Sequence, residues 1–276
     1  MGPDGSGIIK VTDNPAGDFQ PVFSPTGDQI LFVSTRDGNR DLYLINVDGK
    51  NEKKVFSSSV DRSVPTWSPD GKMIAYLRYG EATLYTAEIN GKNETPLAKT
   101  GPFGGDPAWS PDGETIVFTF GLGGKDVDGY PLVLISPQGN KRREVSPDAN
   151  LRLTYPVWSP DGEWIAFADY PWFLHEEDKR TIHIMKPDAT HLKQIVPRTG
   201  GYARDPTWSP RSDQILYEQK VGDQMQLFVI DLESRMRKQL TQGSKNIDAD
   251  WFDPSVLPVR PQAELFTTLW GALKQE

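Results

Sequence analysis

Three residues ahead of each of six regularly spaced aromatic anchors stand Gln20, Val64, Asp106, Tyr155, Asp205 and Asp248. Five of the six are polar and three are carboxylates, and Asp18, Arg62, Arg204 and Asp250 add charge beside them. Carboxylates gathered at one end of a fold can hold a cation or peptide, or cap backbone N–H groups. Two of them spaced roughly 5–10 Å apart can also break a glycosidic bond. A second set of contact-forming residues, Tyr170, Trp172 and Phe173, falls in the segment Tyr170–Arg180. Clustered aromatics of this kind suit a protein or sugar contact.

Other chemistry finds little support. The serine of the recurring Ser-Pro-Asp-Gly phrase reads as a turn residue with no base beside it, and no G-x-S-x-G occurs. His175, His183 and His191 are spaced by eight residues, but strand and turn positions set them at opposite ends of a repeat, so a shared zinc is not expected. Asp126 and Asp128 lack the further oxygen ligands of a calcium loop. With no cysteine, disulfides and thiol chemistry are excluded. No catalytic residue, metal ligand or cofactor is assigned.

The elements that must position the column are repeats. Trp67-Ser-Pro-Asp-Gly71, Trp109-Ser-Pro-Asp-Gly113 and Trp158-Ser-Pro-Asp-Gly162 are complete copies, while Phe23-Ser-Pro-Thr-Gly27 and Trp208-Ser-Pro-Arg-Ser212 are degraded ones. Trp251 falls on the same beat, and the steps between anchors are 44, 42, 49, 50 and 43 residues. A period of about 40–50 residues marks a propeller blade. Seven residues past each of the first five anchors is an isoleucine (Ile30, Ile74, Ile116, Ile165, Ile215), and nine past is an aromatic (Phe32, Tyr76, Phe118, Phe167, Tyr217). Apolar residues at period two read as a half-buried strand. Each unit then gives a second apolar run, a turn and a short final strand, hence four strands per unit.

The expected fold is all-β: a six-bladed β-propeller with four-stranded blades over residues 1–260. The last blade is composite, begun by Ala249–Phe252 and closed by the N-terminal strand Ile8–Thr12, which removes an open sheet edge. In residues 261–276, Leu265, Phe266, Leu269, Trp270 and Leu273 fall at helical spacing, so a short amphipathic helix packing on that blade is expected.

Twenty-five glycines and 23 prolines mark turns rather than disorder, because 11% aromatics supply a core. A net charge of −8 with scattered basic residues argues against nucleic acid and anionic membrane partners. No stretch is apolar enough to span a membrane, and Met1 opens no signal peptide.

The repeated Trp-Ser-Pro-Asp-Gly with its aromatic strand resembles the TolB-like propellers of the WD-like β-propeller repeat family, and Ser34–Tyr43 looks like that family's hairpin between the second and third strands. The resemblance covers about residues 1–252. It implies a six-bladed ring, a periplasmic or secreted protein, and protein binding in the funnel at one end. An α/β domain ahead of the propeller, present in TolB, has no counterpart here.

In such a ring the first strand of each blade lines the channel, and Gln20, Arg62, Asp106, Tyr155, Arg204, Asp205 and Asp248 are expected at a mostly acidic mouth. The two longest loops, 121–131 and 170–180, belong to the same face, which brings Tyr170, Trp172 and Phe173 near it. The function expected is a non-enzymatic binding or scaffold module for a protein or peptide, with a sugar or small molecule as a further ligand class. A carbohydrate-active enzyme using channel carboxylates, and a structural piece of a longer repeat protein, are the alternatives.

Overall fold

The computed structural model describes residues 9–58, 60–121, 129–148, 151–171, 180–198, 201–242 and 247–252, with Tyr170 and Pro171 described by backbone alone. Five antiparallel four-stranded sheets follow one another along the chain. The first holds β1 (Asp18–Phe23), β2 (Gln29–Ser34), β3 (Asp41–Asn46) and β4 (Lys53–Lys54). The second holds β5 (Arg62–Trp67), β6 (Met73–Arg78), β7 (Thr83–Glu88) and β8 (Thr95–Lys99). The third holds β9 (Gly105–Trp109), β10 (Ile116–Thr119), β11 (Leu132–Ile135) and β12 (Arg142–Val145). β13 (Leu151–Trp158), β14 (Ile165–Pro171), β15 (Thr181–Met185) and β16 (Lys193–Gln194) form the fourth. β17 (Ala203–Trp208), β18 (Gln214–Val221), β19 (Gln224–Asp231) and β20 (Arg237–Gln239) form the fifth. Each sheet runs in sequence order from its anchor-bearing strand outward.

The anchor phrase makes the turn between the first two strands. Gly71 N donates to Ser68 O at 2.9 Å, Met73 N donates to the Ser68 hydroxyl at 2.9 Å, and that hydroxyl donates to Asp70 at 2.7 Å. Gly71 has φ +71°, which glycine adopts without a Cβ penalty. The serine is thus consumed by its own turn. The anchor tryptophans join neighbouring sheets. Trp67 is buried among Leu31, Val33 and Leu44 of the first sheet and Ile74 and Tyr76 of the second, and its indole donates to Val22 O at 3.3 Å. Trp208 does the same to Val157 O at 3.2 Å.

The blade number differs from the expectation: the described residues form five blades, not six. Among the described residues, the segments 9–12 and 247–252 between the fifth and first sheets are irregular and join no sheet, so the composite sheet expected from Ile8–Thr12 and Ala249–Phe252 is not formed by them. Phe252 and Val11 pack against Phe23, Ile30 and Phe32, and Phe252 lies 5.6 Å from Phe23. Ala249 and Trp251 pack against Leu216 and Leu227. The physical reason lies in the sixth repeat, where Trp251-Phe-Asp-Pro lacks the Asp-Gly turn and Pro258 stands where the other repeats have isoleucine, with no N–H for a ladder. Residues 261–276, where the C-terminal helix is expected, lie outside the described residues. Among the described residues the one helical element is a 3-10 turn, Tyr79–Glu81.

Candidate functional site

The six residues three ahead of the anchors share one backbone device. Gln20, Val64, Asp106, Tyr155, Asp205 and Asp248 all have left-handed φ, between +47° and +56°. In each of the five sheets this residue and the proline after it have no partner across the ladder, so register shifts there. Proline has no N–H to give the neighbouring strand, and the strand accommodates it by a bulge. Valine and tyrosine are poorly suited to that conformation, at about 1–3 kcal/mol each. The bulges, with the residues after them, line a channel cavity of about 180 Å³.

The bulge residues are stitched to one another around the ring. Val64 N donates to Gln20 Oε1 at 2.9 Å, and Gln20 N donates to Asp248 Oδ2 at 3.2 Å. The Tyr155 N–H favours the charged form of the Asp106 carboxyl. Asp248 N donates to Glu218 Oε1 at 2.5 Å. Asp250 accepts from Phe23 N at 2.8 Å, holding the segment after the fifth sheet against the first. The side chains of this column therefore act partly as caps for the next blade's backbone.

Four aspartates, Asp106, Asp205, Asp248 and Asp250, line the cavity, and among the described residues no lysine or arginine does. Burial pushes the Asp106 carboxyl up to about 6 against the Tyr155 N–H and the charges of Arg180 and Arg204. Asp205 is raised well above the usual carboxylate range, by burial and then by the neighbouring Glu218 and Asp248 carboxylates. Glu218 is raised chiefly by burial, opposed by Arg204, whose Nε donates to Glu218 Oε2 at 2.7 Å. Burial also raises Asp250 and the Tyr155 hydroxyl. One oxygen each from Asp205, Glu218 and Asp248 lie within 4.8 Å of one another, close enough to hold a cation.

Of the expected site residues, the structure brings Gln20, Asp106, Tyr155, Asp205 and Asp248 together in the channel. Arg204 stands beside them through Glu218 and lies over Tyr202, 5.8 Å from the ring centroid. Arg62 is a correction. It is 0% exposed and outside the cavity lining. Its guanidinium meets Asp41 at 3.0 Å, Glu94 at 3.1 Å and Ser58 O at 3.1 Å, and lies 3.8 Å from the Phe56 centroid. A cation so surrounded ties the first two blades together and is not available to a partner. Tyr170 pairs with Arg152 across the β13–β14 ladder. Its side chain, with Trp172, Phe173, Asp126, Asp128 and His175, lies outside the described residues. His183 is buried in β15 with its ring stacked on Phe167 and Nδ1 against Asp169, and His191 is exposed beside Thr190.

Glu218 is the functional-site residue that sequence reasoning missed. A signal was present: ten residues past the anchors the chain reads Val33, Leu77, Thr119, Ala168 and Glu218, one acid in an otherwise uncharged column.

Sheets arranged in sequence around a channel, with the anchor strand of each lining it, define a β-propeller whose concave site is the channel itself. The family described as TolB beta propeller domain matches residues 4–126 and 63–255, and the chain belongs to that family. The Tol-Pal system protein TolB of Desulfosudis oleivorans is 37% identical over 51 residues, 18% of this chain and 12% of that protein. The chain thus spans well under half of the curated relatives it matches, 30% and 12% for the first two. Among solved structures, TolB from Acinetobacter baumannii is similar with a TM-score of 0.71 at 17% identity, covering 85% of this chain and 57% of that one. An oligogalacturonate lyase from Vibrio parahaemolyticus is similar with a TM-score of 0.52 at 15% identity, covering 83% and 80%. Likeness at such identities reflects the fold alone.

Proposed function

We propose that the protein is a non-enzymatic binding module that takes a segment of a protein or peptide partner at the channel. The observation that carries this reading is the cavity of about 180 Å³ lined, among the described residues, by four aspartates and no cationic side chain. An occupant with N–H or cationic groups would stabilise the charged forms of Asp106 and Asp205, which burial disfavours. Membership of a family that includes a Tol-Pal system protein supports a protein partner over a small molecule.

A second reading, a carbohydrate-active enzyme, is favoured by the convergence of Asp205, Glu218 and Asp248. It is weakened by Glu218, whose two oxygens are occupied by the Asp248 N–H and by Arg204, leaving it poorly placed as a proton donor or nucleophile.

The test is a capture experiment from cell envelope and cytosolic fractions, with wild type beside the triple variant Asp106→Asn, Asp205→Asn, Asp248→Asn. A partner held by wild type and released by the variant supports the channel as the binding site. A partner held equally by both rejects it.

A further inference from the structure

The chain is acidic, with a formal charge of −8, yet the fold gathers bases on one side of the ring. Residues 136–145, 186–194 and 232–239 run from the end of the third strand to the end of the fourth in the third, fourth and fifth blades. They carry eight lysines and arginines against three acids, where the equivalent stretches of the first two blades, 47–54 and 89–99, carry five against three. One stretch per blade reads as scattered along the sequence, but in the ring the three are neighbours. An Arg143 guanidinium N–H donates to Pro187 O at 3.0 Å, and an Arg235 guanidinium N–H donates to Gln194 O at 2.9 Å, which ties the outer edges of the third and fifth blades to the fourth. Bases on edge strands discourage edge-to-edge pairing, a role that fits every blade. The fourth and fifth blades add what edge protection does not need. Leu192 is 42% and Met236 72% exposed, two of the six large hydrophobic side chains left exposed among the described residues, and each adjoins a base in the chain. The Trp164 ring lies 4.3 Å from the Lys186 ammonium and 4.4 Å from that of Lys193. Lys186 is paired with Glu163, whereas among the described residues the exposed Lys193, Arg235 and Lys238 form no ion pair. The patch lies at the anchor end of the sheets, where Met185 pairs with Ile165 and Asp231 with Gln214, away from the loops between second and third strands.

We propose that this rim, centred on the outer edge of the fourth blade, docks the propeller on a bilayer bearing anionic phospholipid headgroups. Lys193, Arg235 and Lys238 meet the phosphates, and Leu192 and Met236 enter the layer beneath them. Exposed apolar side chains ringed by bases fit a lipid interface, and each base near an anionic surface adds to the attraction. Tryptophan, apolar in body with one N–H donor, suits the headgroup level, and Trp164 stands beside the cations. A nucleic acid would be held by the bases alone and would gain nothing from an exposed leucine and methionine. Docking by the rim leaves the channel mouth clear, so it stands or falls independently of the channel reading.

The test is flotation of the full chain with vesicles of phosphatidylcholine alone and of phosphatidylcholine with about one third phosphatidylglycerol. Wild type is expected to float with the anionic vesicles, less so as salt rises, and to stay behind with the neutral ones. Lys193→Glu, Arg235→Glu and Lys238→Glu together are expected to weaken vesicle binding about tenfold or more. Lys50→Glu, Lys72→Glu and Lys92→Glu together change the net charge equally from exposed positions on the first two blades, and are expected to keep binding within about threefold. Leu192→Ser with Met236→Ser is expected to weaken binding while leaving the melting temperature unchanged, since both side chains are exposed. Equal losses in the two charge variants, or failure of wild type to float with anionic vesicles at low salt, would overturn the proposal. Full binding by the Leu192 and Met236 variant, together with equally tight rim-dependent binding of a short DNA duplex, would make the rim a general polyanion site and overturn the lipid assignment.

Discussion

Replacing Asp106 by asparagine should stabilise the protein at high pH and do nothing at low pH. The carboxyl sits in the channel wall with its pKa raised from 3.8 to about 6 by burial, against the Tyr155 N–H, which favours its charged form. A raised carboxyl favours its neutral form in the folded state, so its contribution is fully present below the unfolded value near 3.8. That contribution is lost as pH rises through about 6. At about 1.4 kcal/mol per pH unit the displacement amounts to about 3 kcal/mol, reduced to about 1–3 kcal/mol because the channel admits water. Asparagine keeps an oxygen at that position and removes the ionisation. Urea unfolding of wild type and Asp106→Asn between pH 3 and pH 8 should therefore give curves that coincide near pH 3, separate through about pH 4–6 and stay apart above that, with the variant more stable at pH 8. A variant less stable by the same amount at every pH would refute the reasoning, because the carboxylate would then be a favourable structural acceptor and not a strained charge.

Trp67→Ala should cost about 3–5 kcal/mol in chemical unfolding, since the indole fills the contact between the first and second sheets and holds Val22 O. Asp205→Asn should leave the melting temperature at neutral pH unchanged or higher, because Glu218 and Asp248 crowd the same charge; equal losses in the two variants would erase the distinction between core and channel. Arg62→Met should lose about 3–5 kcal/mol, as it leaves Asp41 and Glu94 facing a buried apolar group, and a loss below about 1 kcal/mol would place the guanidinium in water instead.

The blades were legible because each anchor phrase carries its own turn chemistry and because Ile30, Phe32 and their counterparts repeat at fixed offsets on one strand face. The sixth blade was overread from Trp251 and from the short N-terminal strand expected to close the ring. One aromatic on the right beat does not make a sheet without the Asp-Gly turn and the apolar run after it. The channel column was legible as a polar set, yet its conformation was not. A residue before proline reads as extended from sequence, and the left-handed bulge at Asp106 or Asp205 is set by the strand and blade beside it. Arg62 was misplaced for a related reason. It is the first residue of the channel strand β5, paired with Arg78, but Asp41 from the first blade and Glu94 from a later turn enclose it, and contacts between residues 21 and 32 positions apart leave no local mark. Glu218 is in the neighbouring strand and enters the site only through the fold.

The central claim is that the partner enters the channel. A photocrosslinking phenylalanine analogue placed at Tyr155, in the channel, and separately at Met236, 72% exposed beside the outermost strand of the fifth blade, tests it most directly. In cell extract the account predicts a discrete crosslinked partner from position 155, suppressed when Asp205 and Asp248 are asparagine, and none of that partner from position 236. Crosslinking of the same partner from position 236 with nothing from position 155 would contradict it.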